Sequence, residues 1–277
     1  MSVADAPDRE FEFTERDFER ARKLIYARAG ISLAPTKQNM VYSRLSRRLR
    51  ALCLDSVSQY LDRLESEGGD EWEAFTNALT TNLTAFFREA HHFETFKRHL
   101  ATLPRGHRPR IWCAAASTGE EPYSIAIAAA EHYDRLPPPA EILATDVDTQ
   151  VLAHGRAGVY ALDRVEKLER ERLKKFFRRG HGPNAGRCRV VDELRELIEF
   201  RPLNLLHPDY GMRQPFDVIF CRNVMIYFDK PTQRKVLERL TRLLTREGLL
   251  FAGHSESFFH AADIVESCGR TIYRRAR

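Results

Sequence analysis

At 277 residues, 43% hydrophobic and 30% charged, the chain has material for one large domain or two modest ones, with enough apolar residues for a core. No apolar run approaches membrane-spanning length, and the polar, acidic start from Met1 to Asp8 does not read as a signal peptide. The net charge of +5 is a mild excess, and with neither zinc-finger spacing nor an aromatic–basic signature, nucleic acid is not the expected partner.

From Thr14 to about Thr80 the pattern is helical, with no convincing strand. Thr14 is placed to cap a first helix, with Asp17 in its first turn and Gly30 at its end. A second helix is expected over Thr36 to Leu52, where Val41, Leu45, Leu49 and Leu52 form an apolar stripe at helical spacing. Arg44, Arg47 and Arg48 share a flank beside that stripe, and read either as a solvated basic face or as a docking surface. Ser56 and Asp70 are candidate caps for two shorter helices, one holding Tyr60, Leu61 and Leu64, the other Trp72, Phe75 and Leu79.

Asn82-Leu83-Thr84-Ala85-Phe86-Phe87-Arg88-Glu89 follows. Asn82 and Thr84 form helices weakly and hydrogen-bond locally, so they suit a cap or a site. Arg88 comes after two Phe residues expected to be buried, which would hold its charge near the core and in need of an anion. The adjacent His91 and His92 have no evident third ligand, so no metal is expected.

The run Arg110 to Tyr123 is strand, bare loop, helix. Ile111 to Ala115 suits a buried parallel strand. Ala116, Ser117, Thr118 and Gly119 leave the backbone uncovered, and Glu120-Glu121-Pro122 opens a helix, where Pro is tolerated. That unit opens a doubly wound α/β domain, whose ligands sit beyond the carboxyl ends of the strands. One glycine, no lysine and two carboxylates do not suit a triphosphate or a pyrophosphate, but they suit a cationic group. A second strand, Glu141 to Thr145, ends in Asp146 about 25 residues past the loop, near where such folds place a ribose-binding acid. An adenosine compound with a cationic end satisfies both positions, and S-adenosylmethionine is the candidate. The plainer reading of these acids is a favoured helix N-terminus and a strand end.

Val147 to Val159 reads as a helix and turn, and a highly charged helix is expected from about Arg164 to Phe177. After the glycine-rich turn from Arg178 to Gly186, strands are expected at Arg187 to Val191 and Leu194 to Phe200. They read as a small antiparallel insertion whose edge is open to an added peptide strand, or as a loop excursion with no such use. The alternation then resumes. Asn204 follows a strand, where its amide suits an adenine edge. Phe216 to Cys221 is a buried strand ending in Arg222-Asn223, and a helix over Thr232 to Leu244 leads to a strand over Leu249 to Gly253. Ile264 to Glu266 and Thr271 to Tyr273 read as a closing antiparallel pair, which gives the layout of S-adenosylmethionine-dependent methyltransferases. The five cysteines, Cys53, Cys113, Cys188, Cys221 and Cys268, are odd in number and scattered. They are expected to be reduced and mostly buried, in a cytoplasmic protein without a zinc site.

Four segments together carry a family resemblance: Asn82 to Glu89, Ala116 to Ser124, Cys221 to Phe228, and Leu249-Leu-Phe-Ala-Gly-His-Ser-Glu256. The chain resembles the CheR family of chemoreceptor methyltransferases from about Phe13 to Tyr273. The resemblance implies an all-α N-terminal domain (1–80), whose basic helix at about 36–52 faces the receptor, and a linker (81–104) that contributes to the cofactor site. A Rossmann-like α/β methyltransferase domain (105–277) would follow, with a small antiparallel β-subdomain inserted at about 160–200. The implied activity is transfer of methyl from S-adenosyl-L-methionine to receptor glutamates, leaving S-adenosyl-L-homocysteine, without a metal.

By the same resemblance, Asn82, Thr84, Arg88, Glu121, Asp146, Asn204, Leu205, Arg222 and Asn223 would line the cofactor site. Arg88 and Tyr227 would handle the substrate carboxylate. Arg44, Arg47 and Arg48, with Arg179, Gly180 and Gly182 of the insertion, would meet the receptor. The implied partners are the cytoplasmic domains of chemotaxis receptors and their C-terminal tail peptide; no membrane insertion is implied, and a monomer is expected. A non-catalytic module that keeps the cofactor site for regulation, and a small-molecule methyltransferase, are the competing readings. A nicotinamide oxidoreductase fails on the missing glycine fingerprint.

Overall fold

The computed structural model describes residues 9–276, so the acidic start from Met1 to Asp8 lies outside the described residues. The chain divides into two units, Met1–Thr81 and Asn82–Arg277.

The first unit holds α1 (Glu15–Ala29), α2 (Gln38–Leu52), α3 (Val57–Ser66) and α4 (Glu71–Leu79). Thr14 caps α1 reciprocally: its hydroxyl accepts from Asp17 N at 3.1 Å, and the Asp17 carboxylate accepts from Thr14 N at 2.9 Å. Gly30 ends the helix in the left-handed conformation, φ 70°. The expected start of α2 at Thr36 shifts to Gln38, because Pro35–Lys37 forms a tighter 3-10 turn ahead of it. Val41, Leu45 and Leu49 are fully buried and pack the stripe into the unit's interior, while Leu52 is only half-buried at the helix end. Ser56 caps α3 by accepting from Gln59 N, but Asp70 makes no side-chain cap on α4.

The second unit is built on a seven-stranded sheet of order β6-β2-β1-β7-β8-β10-β9. Its strands are β1 (Arg110–Cys113), β2 (Glu141–Asp146), β6 (Ile198–Pro202), β7 (Phe216–Phe220), β8 (Leu244–Phe251), β9 (Val265–Gly269) and β10 (Ile272–Arg275). All neighbours are parallel except β10, which runs antiparallel to β8 and β9. Strand β1 lies between β2 and β7, and alternation along it feeds two cores. Ile111 and Cys113 face one hydrophobic cluster, and Trp112 faces the other. Helices α5 (His91–Thr102) and α6 (Glu120–Tyr133) pack in the first cluster, and α10 (Lys230–Arg242) packs in the second. This architecture is the expected methyltransferase sheet with its antiparallel end. Among the described residues, no helix is long and apolar enough to cross a membrane.

Between β2 and β6 lie α7 (Thr149–Ala157) and a three-stranded antiparallel sheet of order β3-β5-β4, made of Val159–Ala161, Arg187–Val190 and Phe177–Arg179. Two expectations change here. The charged helix is only α8 (Arg170–Phe176), since Phe176 is its one buried residue and no apolar stripe extends it toward Arg164. The strand expected at Leu194 to Phe200 does not pair in the insertion. A single helical turn, α9 (Asp192–Arg195), precedes β6, which runs parallel to β2 in the large sheet. Buried Ile198 and Phe200 flank exposed Glu199 because β6 is an edge strand of that sheet.

Candidate active site

The carboxyl ends of β1, β2, β6 and β7 open on one side of the sheet. The β1–α6 turn is left-handed at Ser117 (φ 48°) and at Gly119 (φ 99°). Gly119 is required twice over, because a Cβ there would lie 2.7 Å from the Tyr160 hydroxyl and 2.9 Å from Gly155 Cα. The turn is fastened to β2 through Asp146, whose carboxylate accepts from Ser117 N at 2.8 Å and from Asp148 N at 3.0 Å. Burial pushes the Asp146 carboxyl up to about 6, against the pull of those N–H groups.

The two glutamates after β1 are placed differently from a bare acidic pair. Glu120 is buried, ion-paired with Arg164, and accepts from the Thr118 hydroxyl at 2.6 Å. Glu121 is buried against Arg222, Oε2 to Nη1 at 2.5 Å, with the Cys113 thiol 3.4 Å from Oε1. Burial pushes the Glu121 carboxyl up while Arg222 pulls it down. Each acid therefore has a guanidinium of its own, and attraction to a cationic ligand cannot be counted from the sequence pair alone. Arg222 also reaches Glu89, Nη2 to Oε2 at 3.3 Å, and donates to the Arg88 carbonyl. The Glu89 carboxyl is raised by burial but more strongly lowered by Arg222, the His254 N–H and Asn223, and ends below its ordinary value. His92, fully buried beside it, is held near 4, first by burial and then by Arg222.

Among the linker residues, Asn82 donates to Asp148 at 2.8 Å, and its carbonyl accepts from the Ser117 hydroxyl at 3.0 Å. The Thr84 carbonyl accepts from Arg164 at 2.9 Å. Arg88 closes its own loop by donating to the Leu83 carbonyl at 3.0 Å, with a third of its side chain exposed; the expected burial of its charge is thus partial. Asn204 caps the turn after β6 by accepting from Leu206 N at 2.9 Å, and Leu205 is buried behind it. Asn223 is left-handed (φ 57°), and half-buried Tyr227 lies on the 3-10 turn Met225–Tyr227. The structure thus brings these residues into two hydrogen-bonded groups, Asn82 and Asp146 joined through Ser117 and Asp148, and Glu121 and the backbone of Arg88 joined through Arg222.

Sequence reasoning did not assign Glu89, Arg164 or Glu256. Glu89 and Glu256 each close one of the recognised segments, which is the signal that could have singled them out. Arg164 lay inside a stretch read as a continuous charged helix.

A family model described as "CheR methyltransferase, SAM binding domain" matches residues 82–274, and one described as "CheR methyltransferase, all-alpha domain" matches 16–80. The chain belongs to the CheR family. Chemotaxis protein methyltransferase 2 of Pseudomonas aeruginosa is 54% identical, over 97% of this chain and 96% of that protein. The chemotaxis protein methyltransferases of Salmonella typhimurium and Escherichia coli are 51% and 49% identical, each over 94% of this chain and over 90% and 91% of theirs.

This CheR chain is thereby an S-adenosylmethionine-dependent methyltransferase, and its residues fit that cofactor. Among the described residues, Arg222 Nε finds no acceptor although its side chain is fully buried. A ligand with a carboxylate at one end and a ribose diol at the other matches that unfilled donor and the Asp146 carboxylate. No cluster of metal-ligating side chains occurs among the described residues.

The other expected surfaces of this CheR chain are differentiated. Arg44 donates to the carbonyls of Ala78 and Thr80 at the end of α4, and Arg48 forms a two-pronged pair with Glu71 at 2.9 and 2.7 Å. Arg47 is the exposed member of the trio. In the small sheet, a groove of about 530 Å³ is lined by Arg178, Arg179, Arg187, Arg189 and Arg195, of which Arg189 and Arg195 pair with Asp192 at 3.3 and 2.6 Å. Gly180 belongs to it, and a Cβ there would lie 2.2 Å from the Asn184 carbonyl oxygen.

Proposed function

We propose that this chain transfers the methyl group of S-adenosylmethionine to glutamate side chains of chemotaxis receptors, in the cytoplasm and as a monomer. The observation that carries the site assignment is the convergence of linker and strand ends: Ser117, Asp146 and Asn82 bonded together, beside Arg222 held between Glu121 and Glu89. The relatives' description as chemotaxis protein methyltransferases supports the choice of substrate.

In this reading Asp146 accepts from the ribose hydroxyls, Arg222 and Arg88 meet the methionyl carboxylate, and Asn204 reads the adenine edge above Leu205. Asn82, Thr84, Glu121 and Asn223 complete the lining. Bound there, S-adenosylmethionine supplies an electrophilic methyl on a sulfonium. A glutamate, with a reference pKa of about 4.3, is already an anion at neutral pH and needs no general base. The protein's task is alignment and exclusion of water, which can remove on the order of 7–11 kcal/mol of barrier. Tyr227 and Arg88 hold the incoming carboxylate loosely, because its charge vanishes as the ester forms and a tight ground-state grip would slow the step. Tyr227→Phe is accordingly expected to lower turnover at least about tenfold, about 1.4 kcal/mol of barrier, with cofactor affinity little changed. Unchanged turnover would remove Tyr227 from the mechanism.

The arginine-lined groove and the open edge of β4 suit an acidic, extended peptide added as a strand, and we assign the receptor's C-terminal tail to it. Arg47, with Arg44 and Arg48 behind it, faces the acidic methylation region. Purified protein, cofactor labelled in the methyl group and receptor fragments with and without their tail test both statements. Label released from the receptor by base is expected, faster with the tail present. A base-stable linkage would contradict the ester, and equal rates would remove the tail from the groove.

A further inference from the structure

Apart from the His254 N–H on Glu89, the segment Leu249 to Glu256 has no role in the site as described, yet it is built around the loop that carries Asn223 and Tyr227. A Cβ on Gly253 would lie 2.2 Å from Asn223 Nδ2 and 2.8 Å from Asn223 N, so glycine lets the two segments touch. Glu256, 4% exposed, turns its carboxylate back under that loop. Its Oε2 accepts from Gly253 N at 2.5 Å and Asn223 N at 3.0 Å, and its Oε1 from Met225 N at 2.8 Å and Ile226 N at 3.3 Å. From the other side, Gln233 Nε2 donates to the carbonyls of Met225 at 2.8 Å and Phe228 at 3.0 Å. A carboxylate is acceptor-only, with room for about four donors, and matches these N–H groups where an amide would not. The left-handed Asn223 and the half-exposed turn after it need such outside support, since a surface turn otherwise opens easily.

We propose that Glu256 is a positioning residue for methyl transfer, fixing the loop 222–227 so that Tyr227 and Asn223 face the reacting groups. The proposal rests on the methyltransferase reading above. Glu256→Gln sets an amide donor against two backbone N–H groups and frees the turn.

A double-mutant cycle separates this role from general destabilisation. Turnover is measured with a receptor fragment for the wild type, Glu256→Gln, Tyr227→Phe and the double variant, at a temperature where circular dichroism shows each folded. Glu256→Gln is expected to lower kcat at least tenfold in the wild-type background and less than threefold in the Tyr227→Phe background. Glu256→Asp, which keeps both acceptor oxygens, is expected to recover part of the loss, and it takes Glu256→Gln's place in the cycle if the amide variant does not fold. Equal losses in the two backgrounds, which an inert Tyr227→Phe would also give, overturn the proposal. Absence of transfer by the wild type overturns the methyltransferase reading itself.

Discussion

In the proposed function Asp146 joins structure and activity in one side chain. Its carboxylate fastens the β1–α6 turn to β2, and burial holds its pKa near 6, within reach of ordinary assay conditions. The group is ionised above that value and accepts hydrogen bonds; below it, it protonates and loses acceptor capacity. Affinity for S-adenosylhomocysteine should therefore fall as pH drops through about 6, by up to about tenfold per unit, and Asp146→Asn should bind more weakly with no such dependence. A flat profile in the wild type between neutrality and mild acid would exclude Asp146 from the ligand. That Asp146 ends a strand was legible from sequence. Its hold on Ser117 N was not, because it depends on a left-handed turn that no side-chain pattern encodes.

The β1–α6 unit was the most readable element, because a short apolar run, small residues and a Pro-bearing helix start leave few alternatives. Its acids were read less well. Sequence spacing brings Glu120 and Glu121 together, but their partners Arg164 and Arg222 lie 44 and 101 residues away and arrive only through tertiary folding. The same limit applies to β6, where alternation from edge exposure looks identical to alternation in a hairpin. The turn itself gives a prediction at this scale. Gly119→Ala forces a Cβ into φ 99° and against Tyr160, and should cost roughly 1–3 kcal/mol in a denaturant titration, with weaker cofactor binding. Unchanged stability and affinity would show that the turn tolerates repacking.

At the scale of the whole chain, both family domains are represented, and the helical unit's basic residues divide between structural and surface roles. Arg48 pairs with Glu71, which also accepts from the Tyr60 hydroxyl at 2.8 Å, so Arg48→Ala should destabilise the helical unit by roughly 1–3 kcal/mol. Arg47→Glu should leave the melting temperature unchanged and raise KM for a receptor fragment several-fold. Loss of stability at Arg47, or unchanged KM, would remove it from the receptor surface. From the sequence the three arginines were equivalent points on one flank; burial and carbonyl acceptors distinguish them.

The most direct test of the central claim is a calorimetric titration of S-adenosylmethionine and S-adenosylhomocysteine into the full chain at neutral pH. Saturable binding of both, at one site per chain, is the expected result. Association of neither with the folded protein would contradict the placement of an adenosyl donor at these strand ends.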